Sequence, residues 1–335
     1  MKAVVIEKPG CVELKDVPDP VPQPGEVLLH PKAGGVCGTD VHILEGQFIG
    51  QYPVIPCHEF SAEVVDVGDD VEELRVGDSV AVDPNIRCGQ CSRCRSGEIN
   101  LCENYQAVGV TRPGGFAERV CVPVKNVHRF NRCEYATAAF AEPLACVLYG
   151  QSRLRVTPGS KVIVWGAGAI GLLHVQVCAK LRGADVTVVD KDAKRVEKAK
   201  NLGALDGFVS DDFIDEALKD QNPSGWDIAV EATGSVSALQ QLFLHLRQGG
   251  QALVFGVYPR EDYLSLKAFD VFLNGWSIYG SFTYRYEFAQ AVRLLASNRI
   301  DVDSVIDLTV PLDDVPVVLE RLAEGERLGK VQVTK

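Results

Sequence analysis

Apolar and polar positions along this chain fall into two regimes. Over the first ~145 residues the apolar runs are short and β-branched, and Gly and Pro break them at short intervals, as in antiparallel strands joined by turns. The runs lie at Val4 to Ile6, Val27 to Leu29, Glu63 to Val67 and Ser79 to Val82, with Val76, Gly77 and Asp78 as a turn into the last. This pattern predicts a compact β-barrel. From about residue 160 buried-looking strands alternate with helical periodicity: strand Val162 to Trp165, helix 170–181, strand Val186 to Val189, helix 193–202 and strand Ile228 to Val230. Helix 237–246 and strand Ala252 to Phe255 follow. Strand–helix–strand repetition of this kind predicts α/β structure, a doubly wound parallel sheet with helices on both faces. After Ser281 a helix over 287–297 and apolar stretches at Val310 to Leu322 and Val331 to Val333 have no place in that sheet. They are read as returning to the barrel.

Length and composition narrow the function. A chain of 335 residues with 46% apolar and 24% charged residues fits two globular domains. No run nears the ~18 apolar residues that a membrane-spanning helix requires. The start, MKAVVIEKPG, is too short in apolar residues for a secretory signal, so the expected location is the cytoplasm. A net charge of -11 argues against nucleic acid, whose binding rests on clustered Lys and Arg.

The glycines Gly166, Gly168 and Gly171 follow the strand KVIVW and open a helix, with Ile170 inside the motif. That order suits a dinucleotide pyrophosphate: a tight turn, close backbone approach, then close packing of helix on strand. Asp190 ends the next strand, 22 residues after Gly168, where a carboxylate accepts from both ribose hydroxyls and repels a 2′-phosphate. NAD is therefore favoured over NADP. Arg195 is read as flanking the adenine.

Eleven cysteines are many for a cytoplasmic chain, and Cys88, Cys91, Cys94 and Cys102 stand at CxxCxxCx7C spacing. Four thiolates close a tetrahedral Zn²⁺ shell and leave no room for substrate, which makes the role structural; two disulfides are the alternative. Cys37 and His58 are a second pair of zinc ligand types, read as lying on loops between β segments. Glu59 and Glu142 add carboxylates beside apolar sequence, where a cation offsets the cost of burial.

These motifs resemble the zinc-containing medium-chain dehydrogenase/reductase superfamily, in its polyol (sorbitol-like) and threonine dehydrogenase branch. The resemblance rests on CysGlyThrAspValHis at 37–42, CysHisGlu at 57–59, the four-cysteine lobe, GluProLeuAla at 142–145 and GlyAlaGlyAlaIleGly at 166–171. It implies a GroES-like catalytic domain over 1–149 and 284–335, a Rossmann NAD-binding domain over 150–283, a structural-zinc lobe at 86–104, and an active site in the cleft between domains. It implies further that Cys37 and His58 bind catalytic zinc, with Glu59 and Glu142 sharing the remaining role in an order left open. Thr39 and His42 are implied as a proton relay. Where the family usually has glycine before the histidine this chain has Cys57, read as a packing residue. Sorbitol-type enzymes carry an arginine and a tyrosine where this chain has Thr283 and Tyr284, so Arg285 is the candidate substitute. Phe116 and Tyr284 are expected to line the substrate pocket.

The reading is then an NAD-linked hydride transfer from a secondary alcohol, a polyol or sugar alcohol. Zinc lowers the pKa of a bound water from about 15.7 to about 7. A similar shift for an alcohol corresponds to roughly 12 kcal/mol at ~1.36 kcal/mol per unit, an upper limit. A threonine or vicinal-diol dehydrogenase is the alternative within the branch, and a nucleotide-binding structural or sensing protein the alternative outside enzymes. A homo-oligomer, dimer or tetramer, is expected, with Trp276 to Tyr279 as its pairing edge.

Overall fold

Short antiparallel strands dominate the N-terminal part of the computed structural model, which describes residues 1–334. The strands Glu26–Gly35 and Glu59–Val67 form the centre of a seven-stranded sheet. Ser79–Val82 and Val127–Arg129 extend it on one side, Lys330–Thr334 and Ile306–Val310 on the other, and Val120–Pro123 pairs with Glu26–Gly35. Its inward residues, among them Leu29, Phe60, Val64, Val80 and Val333, form one buried cluster. Alternation of side chains along each strand places them on a common face. The C-terminal tail therefore contributes the strand Lys330–Thr334, antiparallel to Glu26–Gly35 with Gln332 opposite Gly35.

The second sheet is wholly parallel and ordered Asp206–Val209, Asp185–Asp190, Lys161–Trp165, Trp226–Glu231, Leu246–Val254, Ser277–Gly280. The chain winds outward from Lys161–Trp165 in one direction and returns to Trp226–Glu231 on its other side. A switch point therefore lies between those two strands. Val162, Ile163 and Val164 are fully buried, as continuous apolar strands covered on both faces are.

Two helices show how the structure departs from the periodicity. The helix after the glycine motif is α-helical over Ala169–Gln176 and widens into a π turn over Val177–Leu181. The helix predicted over 237–246 spans Val236–Leu244, because Leu246 already pairs with Trp226 as the next strand begins.

Two units result. One comprises Met1–Ala145, Arg285–Asn298 and the chain from Val305, and the other Cys146–Tyr284 with Arg299–Ser304.

Candidate functional site

The first unit gathers three zinc-type ligands. Glu26–Gly35 delivers Cys37, which lies in the short link after that strand and, with an extended backbone, caps the start of the helix Gly38–Leu44. His58 leads into Glu59–Val67, and Glu59 is the first strand residue, directly opposite Gly35. The ligand atoms of Cys37, His58 and Glu59 lie within 4.8 Å of one another. Glu142 sits in the first turn of the helix Ala141–Ser152, outside that trio but close enough to act on His58 electrostatically.

Two neighbours of this cluster escaped the sequence reading. Asp40 is fully buried and accepts from the amides of Cys37 (2.9 Å) and Cys57 (3.2 Å), tying the two ligand segments together. Asp40 closes a reciprocal cap with Cys37 in the structure, but the usual sequence signature has Ser or Thr at the cap, so Cys37 did not mark it. Lys330 is also buried; its ammonium pairs with Glu59, donates to the Val36 carbonyl at 3.1 Å and lies 5.7 Å from the Phe140 ring centroid. No local pattern marks it, because strand pairing alone carries it to Cys37. Gly35 admits the pair, since a Cβ there would lie 2.9 Å from Lys330 Nζ.

The electrostatics ask for a cation. Burial alone would lower the His58 pKa, yet Cys37, through electrostatic attraction and a side-chain hydrogen bond, and the neighbouring Asp40 and Glu142 carboxyls raise it well above the usual imidazole value. His58 Nδ1 is buried without a hydrogen-bond partner, with Asp40 Oδ1 3.9 Å away. A thiolate, an imidazole and a carboxylate form a donor set that zinc accepts, with a position left for substrate.

The four lobe cysteines also come together. Cys88 Sγ lies 3.5 Å from Cys102 Sγ and 4.0 Å from Cys94 Sγ, and Cys91 Sγ is 4.0 Å from Cys102 Sγ. Those separations far exceed a disulfide bond. They match the ~3.8 Å edge of a tetrahedron built on Zn–S bonds of ~2.3 Å. Backbone amides of Gln90 and Cys91 point at Cys88 and lower its thiol pKa to about 6.

Around this centre, Thr39 Oγ1 is 3.7 Å from Cys37 Sγ, and His42 follows three residues later on the same helix with its Nδ1 3.5 Å from Glu45. Cys57 is fully buried at φ 81°, its thiol directed at the Glu59 carbonyl (3.5 Å), so it packs and does not join the ligand cluster. Phe116 lies in the barrel core at 1% exposure. Arg285 donates to Asn100 of the cysteine lobe at 3.1 Å. Tyr284 is fully buried.

In the second unit the glycine turn has the predicted construction. Gly166 has φ 103° and donates to the Val189 carbonyl at 2.8 Å. A Cβ on Gly171 would collide with the Gly166 carbonyl, whereas one on Gly168 would meet nothing within 4 Å, leaving the backbone open to a phosphate. Asp190 accepts from the amides of Ala167 (2.7 Å) and Asp192 (2.9 Å), which aims its carboxylate at the turn. Ile170 is half-buried in the first turn of the helix and Arg195 half-buried in the first turn of Ala193–Leu202.

A zinc-type donor cluster in one unit and a nucleotide-binding sheet in the other define a metal-dependent oxidoreductase. Comparison with known proteins agrees. Residues 23–132 match the alcohol dehydrogenase GroES-like domain, and 169–297 match the zinc-binding dehydrogenase family. D-arabinitol dehydrogenase 1 of Uromyces fabae is 34% identical over 98% of this chain and 95% of its own. D-altritol 5-dehydrogenase of Agrobacterium fabrum is 35% identical over 99% of both. The solved structure of a zinc-binding dehydrogenase from Sinorhizobium meliloti, bound to NADP, superposes with a TM-score of 0.95 at 34% identity, covering 100% of this chain and 99% of that one. The chain belongs to the zinc-binding alcohol dehydrogenases of the medium-chain dehydrogenase/reductase superfamily, in the branch of the polyol and threonine enzymes.

Proposed function

We propose that this chain oxidises a secondary hydroxyl of a polyol or sugar alcohol with NAD as hydride acceptor. The observation that carries the reading is the Cys37–His58–Glu59 cluster. The two polyol dehydrogenases, similar over nearly their full lengths, supply the substrate class.

Cys37, His58 and Glu59 hold a catalytic zinc, with Glu142 completing the set directly or through water. Cys88, Cys91, Cys94 and Cys102 hold a structural one. When bound, zinc supplies Lewis-acid activation of the substrate hydroxyl and NAD supplies the hydride acceptor. Thr39 accepts the proton released by the substrate and donates its own towards His42. As residues i and i+3 of one helix, the two share a face, and the partly exposed His42 passes the proton to solvent.

NAD is chosen over NADP on Asp190. The Sinorhizobium relative holds NADP, so the choice rests on this carboxylate, braced by two amides where a 2′-phosphate would stand. Gly166, Gly168, Ile170 and Gly171 seat the pyrophosphate, and Arg195 flanks the adenine.

The chain pairs with a second copy through Ser277–Gly280. That strand is an edge of the parallel sheet, and on the helix that precedes it in the chain, Ala268–Asn274, Phe269 and Phe272 are 65% and 80% exposed. We place the protein in the cytoplasm, where reducing conditions keep the four lobe thiolates available to metal. No helix of the described residues is long and apolar enough to cross a membrane.

Initial rates of NAD reduction across long and short polyols, vicinal diols, aldonates and L-threonine test the substrate class. A polyol preference supports the reading. Preference for L-threonine or a vicinal diol moves the assignment to the other enzymes of the branch.

A further inference from the structure

Glu231 ends the strand Trp226–Glu231 and is fully buried. It lies opposite Trp165, the residue before the glycine turn, and opposite Val254 of the next strand. It therefore stands at the carboxyl edge of the sheet at its switch point, where doubly wound sheets bind ligands.

The partners that the structure gives this carboxylate are neutral donors from two loops. The amides of Thr233 and Gly234 donate to Oε1 at 2.6 and 3.1 Å, the Thr233 hydroxyl donates to the same oxygen, and the Tyr258 hydroxyl donates to Oε2. Burial and the adjacent carboxylate raise the Tyr258 pKa, which keeps its hydroxyl protonated as a donor. Burying a carboxylate is costly unless several donors converge on it, and here they do. The glycines show how closely the parts are fitted. A Cβ on Gly256 would lie 2.6 Å from Glu231 Oε2, and one on Gly166 would lie 2.7 Å from Thr233 Cγ2. Thr233 Oγ1 in turn accepts from the Ser235 amide at 3.0 Å.

Glu231 thus locks loops 232–235 and 255–258 together, with Thr233 against the glycine turn. Asp190 marks the adenosine side of the turn, over the end of Asp185–Asp190. A dinucleotide whose pyrophosphate crosses the turn must extend its other half across the switch point, over the ends of Trp226–Glu231 and Leu246–Val254. We infer that Glu231 is a positioning residue for the nicotinamide half of the coenzyme: it fixes the wall formed by Thr233, Gly234 and the 255–258 loop along which that half lies.

The inference rests on the NAD reading above, and the test separates the two. Calorimetric titration measures the affinities of NADH and of ADP-ribose, which lacks the nicotinamide, for the wild-type protein, Glu231→Gln and Tyr258→Phe. Glu231→Gln keeps volume but turns an amide N–H towards groups that already donate. The expected result is about a tenfold fall in the ratio of NADH to ADP-ribose affinity, with ADP-ribose binding unchanged, and a smaller fall of the same kind in Tyr258→Phe. A ratio equal to wild type in Glu231→Gln, or a proportional loss of both ligands, overturns the inference and leaves Glu231 a general brace. If Glu231→Gln does not fold, an unchanged ratio in Tyr258→Phe overturns it alone. A wild-type protein that binds ADP-ribose but gains nothing from the nicotinamide overturns it too, and one that binds neither ligand removes the NAD reading with it.

Discussion

Lys330 and Glu59, 271 residues apart in sequence, form a buried ion pair beside Gly35. The sheet order explains the meeting: Glu59–Val67 and Lys330–Thr334 pair with opposite edges of Glu26–Gly35. Placing the ammonium behind one carboxylate oxygen leaves the other for a metal. It also balances part of the negative charge that Cys37, Asp40 and Glu142 concentrate around His58.

Truncating one partner of such a pair leaves the other charged and unpaired, at a cost of about 3–5 kcal/mol. Lys330→Met is expected to lose stability on that scale in denaturant unfolding. Adding Glu59→Gln is expected to restore part of it. Equal losses in the single and double variants would show that the charge pairing is not what is missing.

Thr39→Val removes the first group of the proposed relay while keeping its shape. The expected loss is ~10²–10⁴-fold in kcat, the usual range for a positioned proton carrier. Zinc content should stay at the wild-type level. His42→Ala should give a smaller loss, concentrated at low pH, where solvent hydroxide is scarce.

Asp190→Ser is expected to shift coenzyme preference towards NADP by about 100-fold in the ratio of kcat/KM values, the equivalent of ~2.7 kcal/mol of relieved charge repulsion. An unchanged ratio would mean that Asp190 does not meet the adenosine ribose.

His174 provides a pH test of the fold itself. It is fully buried, its Nδ1 3.0 Å from the Gln151 amide, its ring edge-on to Phe255, and burial lowers its pKa from 6.5 to about 3. A depressed imidazole pKa contributes stability that is fully present above the unfolded value of 6.5 and is lost as pH falls towards 3, because the unfolded chain takes up the proton first. Between pH 6.5 and 5, wild type is expected to lose about 1.6 kcal/mol more than His174→Leu in urea unfolding. Parallel losses would refute the assignment.

Much of this arrangement was legible in local sequence. The Lys161–Trp165 strand and its glycines announced themselves because a dinucleotide turn constrains consecutive residues, and the lobe cysteines because four ligands lie within one loop. The edge strand Asp206–Val209 and the helix Ile214–Gln221 were not predicted. The strand is four residues long with no buried position, and the helix buries only Ile214 and Leu218, so neither carries a strong period. Glu59 showed its residue type but not its partner. Lys330 was illegible for a different reason: KVQVT alternates like any sheet strand, and only the antiparallel register with Glu26–Gly35 brings its first residue to the ligand cluster.

The central claim is that Cys37, His58 and Glu59 hold the metal on which dehydrogenation depends. The most direct test is the rate of NAD reduction with a polyol substrate, in wild type and Cys37→Ser, before and after chelator treatment and zinc repletion. Wild type is expected to lose activity to chelator and regain it with zinc, while Cys37→Ser stays inactive throughout yet still binds NADH. Activity that survives both the chelator and Cys37→Ser would contradict the account.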